Sequence, residues 1–173
     1  MMLRLCNIVE TAIVPALALL PRHMDTPEAR VLLLAIGLQE SRFEHRCQVL
    51  NGGGRGPARG FWQFERGTRA SRGGVWGVYL HRASMEPLRE LCRARDVAFD
   101  PADVWARLEH DDVLAAGVAR LLLWTDPVSL PKPGEVRTAW EYYERNWRPG
   151  KPHPQKWPRS HRMAREAVLA EAL

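Results

Sequence analysis

Glu40 ends an otherwise apolar run, VLLLAIGLQE, at a spacing that places its carboxyl where a helix would bury a core side chain. Gly37, Ile36 and Leu33 stand three, four and seven positions before it, so all four share one helical face. A carboxylate on such a stripe loses water and sits at the negative end of its own helix, and both effects favour the protonated form. An acid that keeps its proton near neutral pH can deliver it to a leaving oxygen, which is the work of a general acid in glycoside cleavage. The plainer alternative is an ion pair with Arg42 or Arg46 at a helix end. Downstream, the stretch GPARGFWQF carries a glutamine, Gln63, whose amide both donates and accepts, while the glycines let a backbone pass close to a sugar ring. Its alternative is a turn followed by ordinary core aromatics, Phe61, Trp62 and Phe64. Further on, Tyr142 or Tyr143 could bring a hydroxyl to Glu40 to orient it, and the sequence does not choose between them.

Several elements must position these groups. Thr26 can cap free backbone donors, Pro27 suits a first helical position and Glu28 complements the dipole, so a helix is predicted from Pro27 to the Glu40 region. A turn-rich region follows from Asn51 to Gly60; a phosphate-cradling loop there would need a lysine followed by Ser or Thr and a preceding strand, and has neither. A second glycine group, Ser71 to Gly77, reads as a loop beside the cleft, made basic by Arg66, Arg69 and Arg72. Met85 to Phe99 reads as an outer amphipathic helix with Leu88, Leu91 and Cys92 inward, and Asp100-Pro101 ends or restarts a helix. Asp111 to Trp124 is apolar on most sides and is predicted to be central, and the prolines 127, 131 and 133 break the chain after it. A last helix, Ser160 to Leu173, with Met163, Ala167 and Leu169 inward, closes the domain. The opening stretch has only Arg4 ahead of its apolar residues and carries Glu10 and Pro15 inside, so neither a signal peptide nor a membrane span is expected; one or two helical turns packed on the core are.

The Glu40-Ser41-Arg42-Phe43 step and the Gly56 to Phe64 loop, in this order and separation, resemble the two leading signatures of the soluble lytic transglycosylase and goose-type lysozyme families. A third signature of those families, a Tyr-Asn pair with Gly and Pro shortly after, is matched by Tyr142 or Tyr143, then Asn146 and Arg148-Pro149-Gly150, although no tyrosine directly precedes the asparagine. Gly117 with Leu121 and Leu122 is similar to the helix that packs behind the catalytic one in those families. The resemblance spans roughly residues 27–150. It implies a mainly α (α+β, lysozyme-like) single domain over residues 1–173, with an N-terminal helix in 1–25, a closing helix in 151–173 and a glycine-rich loop or small hairpin flanking the cleft. It also implies Glu40 as the one acid/base, with Ser41, Gly60, Phe61, Gln63, Tyr142 and Tyr143 at the substrate, no cofactor and no metal. Trp140, Trp147 and Trp157 could line a carbohydrate groove or anchor a core.

Glycoside hydrolases usually need a second carboxylate. Glu44 and Glu65 are the nearest acids and both read as surface residues beside arginines, which favours the transglycosylase route that the resemblance implies. In that route the substrate is peptidoglycan, cut between N-acetylmuramic acid and N-acetylglucosamine to leave an anhydro ring. The expected setting is a bacteriophage or prophage enzyme, monomeric, made in the cytoplasm and acting in the periplasm or wall, virion-borne with other virion proteins or released through a holin. A hydrolytic lysozyme of the same fold and a non-catalytic virion or wall-binding protein are the alternatives.

Composition bounds these readings. A chain of 173 residues with 46% hydrophobic content suits one domain with a real core. The net charge of +5 suits polyanions, whether nucleic acid, a membrane surface or an anionic wall. Its arginines are dispersed over many segments rather than gathered on one helix or sheet, which argues against nucleic acid. Cys6, Cys47 and Cys92 are odd in number and widely spaced, suggesting neither a disulfide framework nor a zinc site, and His45 with Cys47 has no second pair of ligands nearby.

Overall fold

A computed structural model describes residues 2–170. The chain is mainly helical, with one small antiparallel two-stranded sheet among the described residues. Its N-terminal segment runs helical from Met2 to Ala18 as α1 (Met2–Ile8), a π-helical turn (Val9–Ile13) and α2 (Val14–Ala18), longer than the one or two turns expected. Pro15 is the reason for the π turn. It lacks an N–H and its ring would crowd the carbonyl four residues back, and the wider turn, closed by the Val14 N–H on the Val9 carbonyl, lets the helix pass.

Helix α3 (Pro27–Glu40) starts as its sequence predicts, with the Thr26 hydroxyl accepting from the Ala29 N–H at 3.2 Å. Every residue from Val31 to Leu38 is buried, so α3 is wrapped on all sides rather than along one stripe. Helix α9 (Trp157–Ala170) lies along it and begins at Trp157, after a 3₁₀ turn (Pro154–Lys156), rather than at Ser160. The largest apolar residue of that segment sets the inward face: Trp157, His161, Ala164 and Val168 follow one another at helical spacing. Leu169, one position off this line, therefore points to solvent at 44% exposure, and Met163 is half-buried. The remainder of the expected closing helix, residues 171–173, lies outside the described residues.

The second buried helix is α7 (Asp112–Trp124), capped by Asp111 through its carboxylate on the Leu114 N–H at 2.9 Å. Against it stand α4 (Gly74–Leu80) and α5 (Met85–Ala94), and α6 (Pro101–Arg107) packs on α4. Gly117 faces α5, where a Cβ would lie 2.5 Å from Leu91 Cδ2. Its bareness thus serves the α5–α7 contact. Helix α8 (Val136–Trp147) follows the proline-rich connection.

The glycine-rich region forms a hairpin, β1 (Cys47–Val49) paired with β2 (Arg55–Arg59), turned by Gly52 and Gly53 at φ of +101° and +90°. Cys47 opposes Arg59 and Val49 opposes Arg55, so the ladder is irregular between them and the hairpin bends. Ser71 to Gly77 is only partly a loop: α4 starts at Gly74. Among the described residues no helix is long and apolar enough to cross a membrane.

Candidate active site

The C-terminal end of α3 opens into a cleft of about 820 Å³, walled by the hairpin, the 63–74 segment, the end of α4 and the segment that follows α8. Glu40 lies in its lining together with Ser41, Gln63, Glu65 and Trp147. The Tyr143 hydroxyl donates to Glu40 Oε1 at 2.6 Å, a bond between residues 103 positions apart. Burial raises the Glu40 pKa from 4.5 to about 7, against the Tyr143 bond, which favours the ionised form. Arg42 instead meets Glu44 at 3.6 Å and Arg46 meets Asp112 at 2.7 Å, so neither arginine is paired with the Glu40 carboxylate. Burial likewise pushes the Tyr143 hydroxyl up, and the neighbouring carboxylate adds to it, so it stays a donor.

Tyr143 is fixed by aromatic neighbours. Its ring stacks on Trp157 with centroids 5.2 Å apart and an 11° tilt, with Trp140 at 5.3 Å and Trp147 at 6.3 Å. Of the three tryptophans expected at a groove, only Trp147 lines the cleft, its Nε1 donating to the Trp62 carbonyl at 3.0 Å. Trp157 is core and Trp140 half-buried against it. Tyr142 does not face the site. Successive residues of a helix point about a quarter-turn apart, and its buried hydroxyl lies 2.9 Å from the Leu123 carbonyl and 3.1 Å from that of Val128.

Ser41 is a clamp. Its buried hydroxyl donates to the Phe61 carbonyl at 2.7 Å and accepts from the Phe43 N–H at 3.1 Å, which ties the end of α3 to the Gln63 loop. The chain then turns through Arg42 and Phe43, both at φ +57°, and drops the Phe43 ring onto Gly37, where a Cβ would sit 2.2 Å from Phe43 Cζ. The Arg4 guanidinium donates to the Phe43 carbonyl and braces this turn from α1. Sequence reasoning missed the Gly37–Phe43 fit; a glycine three residues before a helix-terminal carboxylate was its one visible signal. It also missed Trp157 as the support of Tyr143, signalled only by a lone large apolar residue in PHPQKWPR.

Gln63, at φ +51°, lines the cleft and donates from Nε2 to the Gly60 carbonyl at 2.9 Å. Gly60 itself is buried at φ +71°, and a Cβ there would lie 2.8 Å from the Leu108 carbonyl oxygen. The close approach that requires this glycine is to the protein's own backbone, not to a ligand. Phe61 is buried too: its ring packs edge-on against Phe43 at 5.4 Å and beneath the Arg46 guanidinium at 4.2 Å, so only its carbonyl serves the site. Glu44 is an exposed partner of Arg42, whereas Glu65 is exposed within the cleft lining. The arrangement supplies one carboxyl able to give and retake a proton near neutral pH, held by one phenol at the wall of an open groove.

No family model, no curated protein and no solved structure matches this chain.

Proposed function

We propose that this protein cleaves peptidoglycan glycan strands as a lytic transglycosylase, with Glu40 as its single acid and base. The observation that carries this reading is the half-buried Glu40 carboxyl, raised to about 7 and held by Tyr143 at 2.6 Å beside an open cleft. An acid of that pKa is protonated for a useful fraction of molecules at neutral pH and is a competent base once it has given the proton away. In the first step Glu40 protonates the oxygen linking N-acetylmuramic acid to N-acetylglucosamine, and the bond from the muramic anomeric carbon to that oxygen breaks. In the second, the resulting carboxylate takes the proton of the muramic acid's own hydroxyl as that oxygen bonds the anomeric carbon. The product carries an anhydro ring, no water is consumed, and Glu40 returns to its neutral form. Tyr143 keeps one carboxyl oxygen aimed while the charge on Glu40 appears and disappears.

The mainly helical body with a hairpin beside the cleft is compatible with a lysozyme-like fold, the architecture expected of such an enzyme. Peptidoglycan as partner, a phage or prophage setting and action at the wall belong to the same reading. Hydrolysis is the second reading, and Glu65 favours it by lining the same cleft, where a second carboxylate could serve a water.

Digestion of purified peptidoglycan by the wild type and by Glu40→Gln, with mass analysis of the fragments, tests both. Fragments lighter than the hydrolytic ones by one water, and absent with the variant, support transglycosylation. Reducing-end fragments support hydrolysis and make Glu65→Gln the next variant. No fragments from several wall types would refute both.

A further inference from the structure

We infer that the cleft holds the carboxylates of the peptides attached to the glycan, through Arg72 and Arg148 on its walls with Lys151 beside them. This rests on the glycan reading above and names what that substrate must carry. Arg72, Arg148 and Lys151 all line the cleft, are exposed, and enter no ion pair among the described residues. Arg145, also in the lining, differs: Asp126 neutralises it at 2.6 Å. Against the three free cations the lining sets only two carboxyls, Glu40 and Glu65. The cleft therefore presents positive charge that the protein itself leaves uncompensated.

Both arginines are presented by fixed turns. Arg72 stands at φ +50°, its N–H on the Thr68 carbonyl at 3.0 Å, in a turn closed by Ser71 and Thr68. That turn is pinned where Gly67 crosses Gly73 so closely that a Cβ would come within 2.0 Å of the Gly73 carbonyl. Arg148 ends α8 in the left-handed region at φ +49°, its N–H on the Glu144 carbonyl at 2.9 Å. Left-handed backbone disfavours a long side chain, so two arginines there, on two separate chain segments of one groove, are placed against local preference. A ligand anion must lie within reach of the same glycan that meets Glu40. The peptide on each muramic acid meets that condition, being joined to the sugar next to the cleaved bond.

The test is calorimetric titration of Glu40→Gln, which does not consume its ligand, with two soluble glycan preparations of equal chain length, one bearing peptides and one stripped of them by an amidase, which leaves one lactyl carboxylate per muramic acid in place of the several carboxylates of the peptide. Two solvent-screened charge contacts predict about ten-fold tighter binding of the peptide-bearing glycan, compressed at high salt. Arg72→Asn with Arg148→Asn, a residue tolerant of left-handed backbone, should erase that ratio, and Lys at both positions should keep most of it. Equal affinity for both preparations, or a preference that survives the Asn pair, overturns the inference while leaving the glycan reading intact. Failure to bind either preparation sinks the glycan reading itself. A preference for phosphate-bearing wall polymer over peptide-bearing glycan would also overturn it.

Discussion

Replacing Tyr143 with Phe removes one oxygen and leaves the ring, so the stack on Trp157 at 5.2 Å survives and only the 2.6 Å bond to Glu40 is lost. That bond favours the ionised carboxyl and works against the burial that raises the Glu40 pKa to about 7. Without it the carboxyl should hold its proton more tightly still. A hydrogen bond to a charged group contributes about 1.5–3 kcal/mol, and the open side of the cleft argues for the lower end, so the titration midpoint should rise by about one pH unit. Carboxyl-carbon NMR of the isolated protein reads this without any assumption about substrate. On peptidoglycan, the alkaline limb of the rate profile should move up by the same amount, while the maximal rate falls because the variant's carboxyl is no longer aimed. A midpoint that stays where it was, or moves down, would refute the claim that the phenol stabilises the ionised form.

Glu40 also makes stability depend on pH. Its folded pKa of about 7 lies above the ordinary 4.5, so its contribution is complete below about pH 4.5 and is lost as pH rises through 7, by at most about 3 kcal/mol. Urea unfolding should show the wild type weakening over that window and Glu40→Gln staying flatter. Gly37→Ala puts a methyl 2.2 Å from Phe43 Cζ and should lower unfolding free energy by about 1–3 kcal/mol, with the Phe43 ring displaced in the near-ultraviolet spectrum. Ser41→Ala leaves the Phe61 carbonyl and the Phe43 N–H without this partner and should cost about 1–3 kcal/mol in the same assay, with a larger loss in glycan cleavage than in binding.

The helix that carries Glu40 was legible because its signals are local: Thr26 and Pro27 open it, and an apolar run fills it. The turn-rich stretch likewise declared itself through Gly52 and Gly53, which the hairpin requires at positive φ. What stayed hidden depends on partners distant in sequence. Tyr142 and Tyr143 are equivalent by type and spacing, and only the packing of α8 against α9 separates the one facing Leu123 from the one facing Glu40. The family resemblance puts Gly60 and Phe61 at the substrate, yet their positions answer to Leu108, Phe43 and Arg46. Leu169 was placed inward by its apolarity alone, and Trp157 fixes the helix rotation that turns it outward.

The contact between Glu40 and Tyr143 spans 103 positions, and the tryptophan behind that tyrosine stands later still. Until α8 has brought Tyr143 to the end of α3, with Trp157 of α9 behind it, the Glu40 carboxyl lacks its phenol. The chemical potency of the cleft thus depends on a long-range contact of folding rather than on the helix that bears the residue alone. Partly folded chains should be inert as acids at neutral pH, and recovery of the perturbed Glu40 titration should lag behind recovery of helix content during refolding.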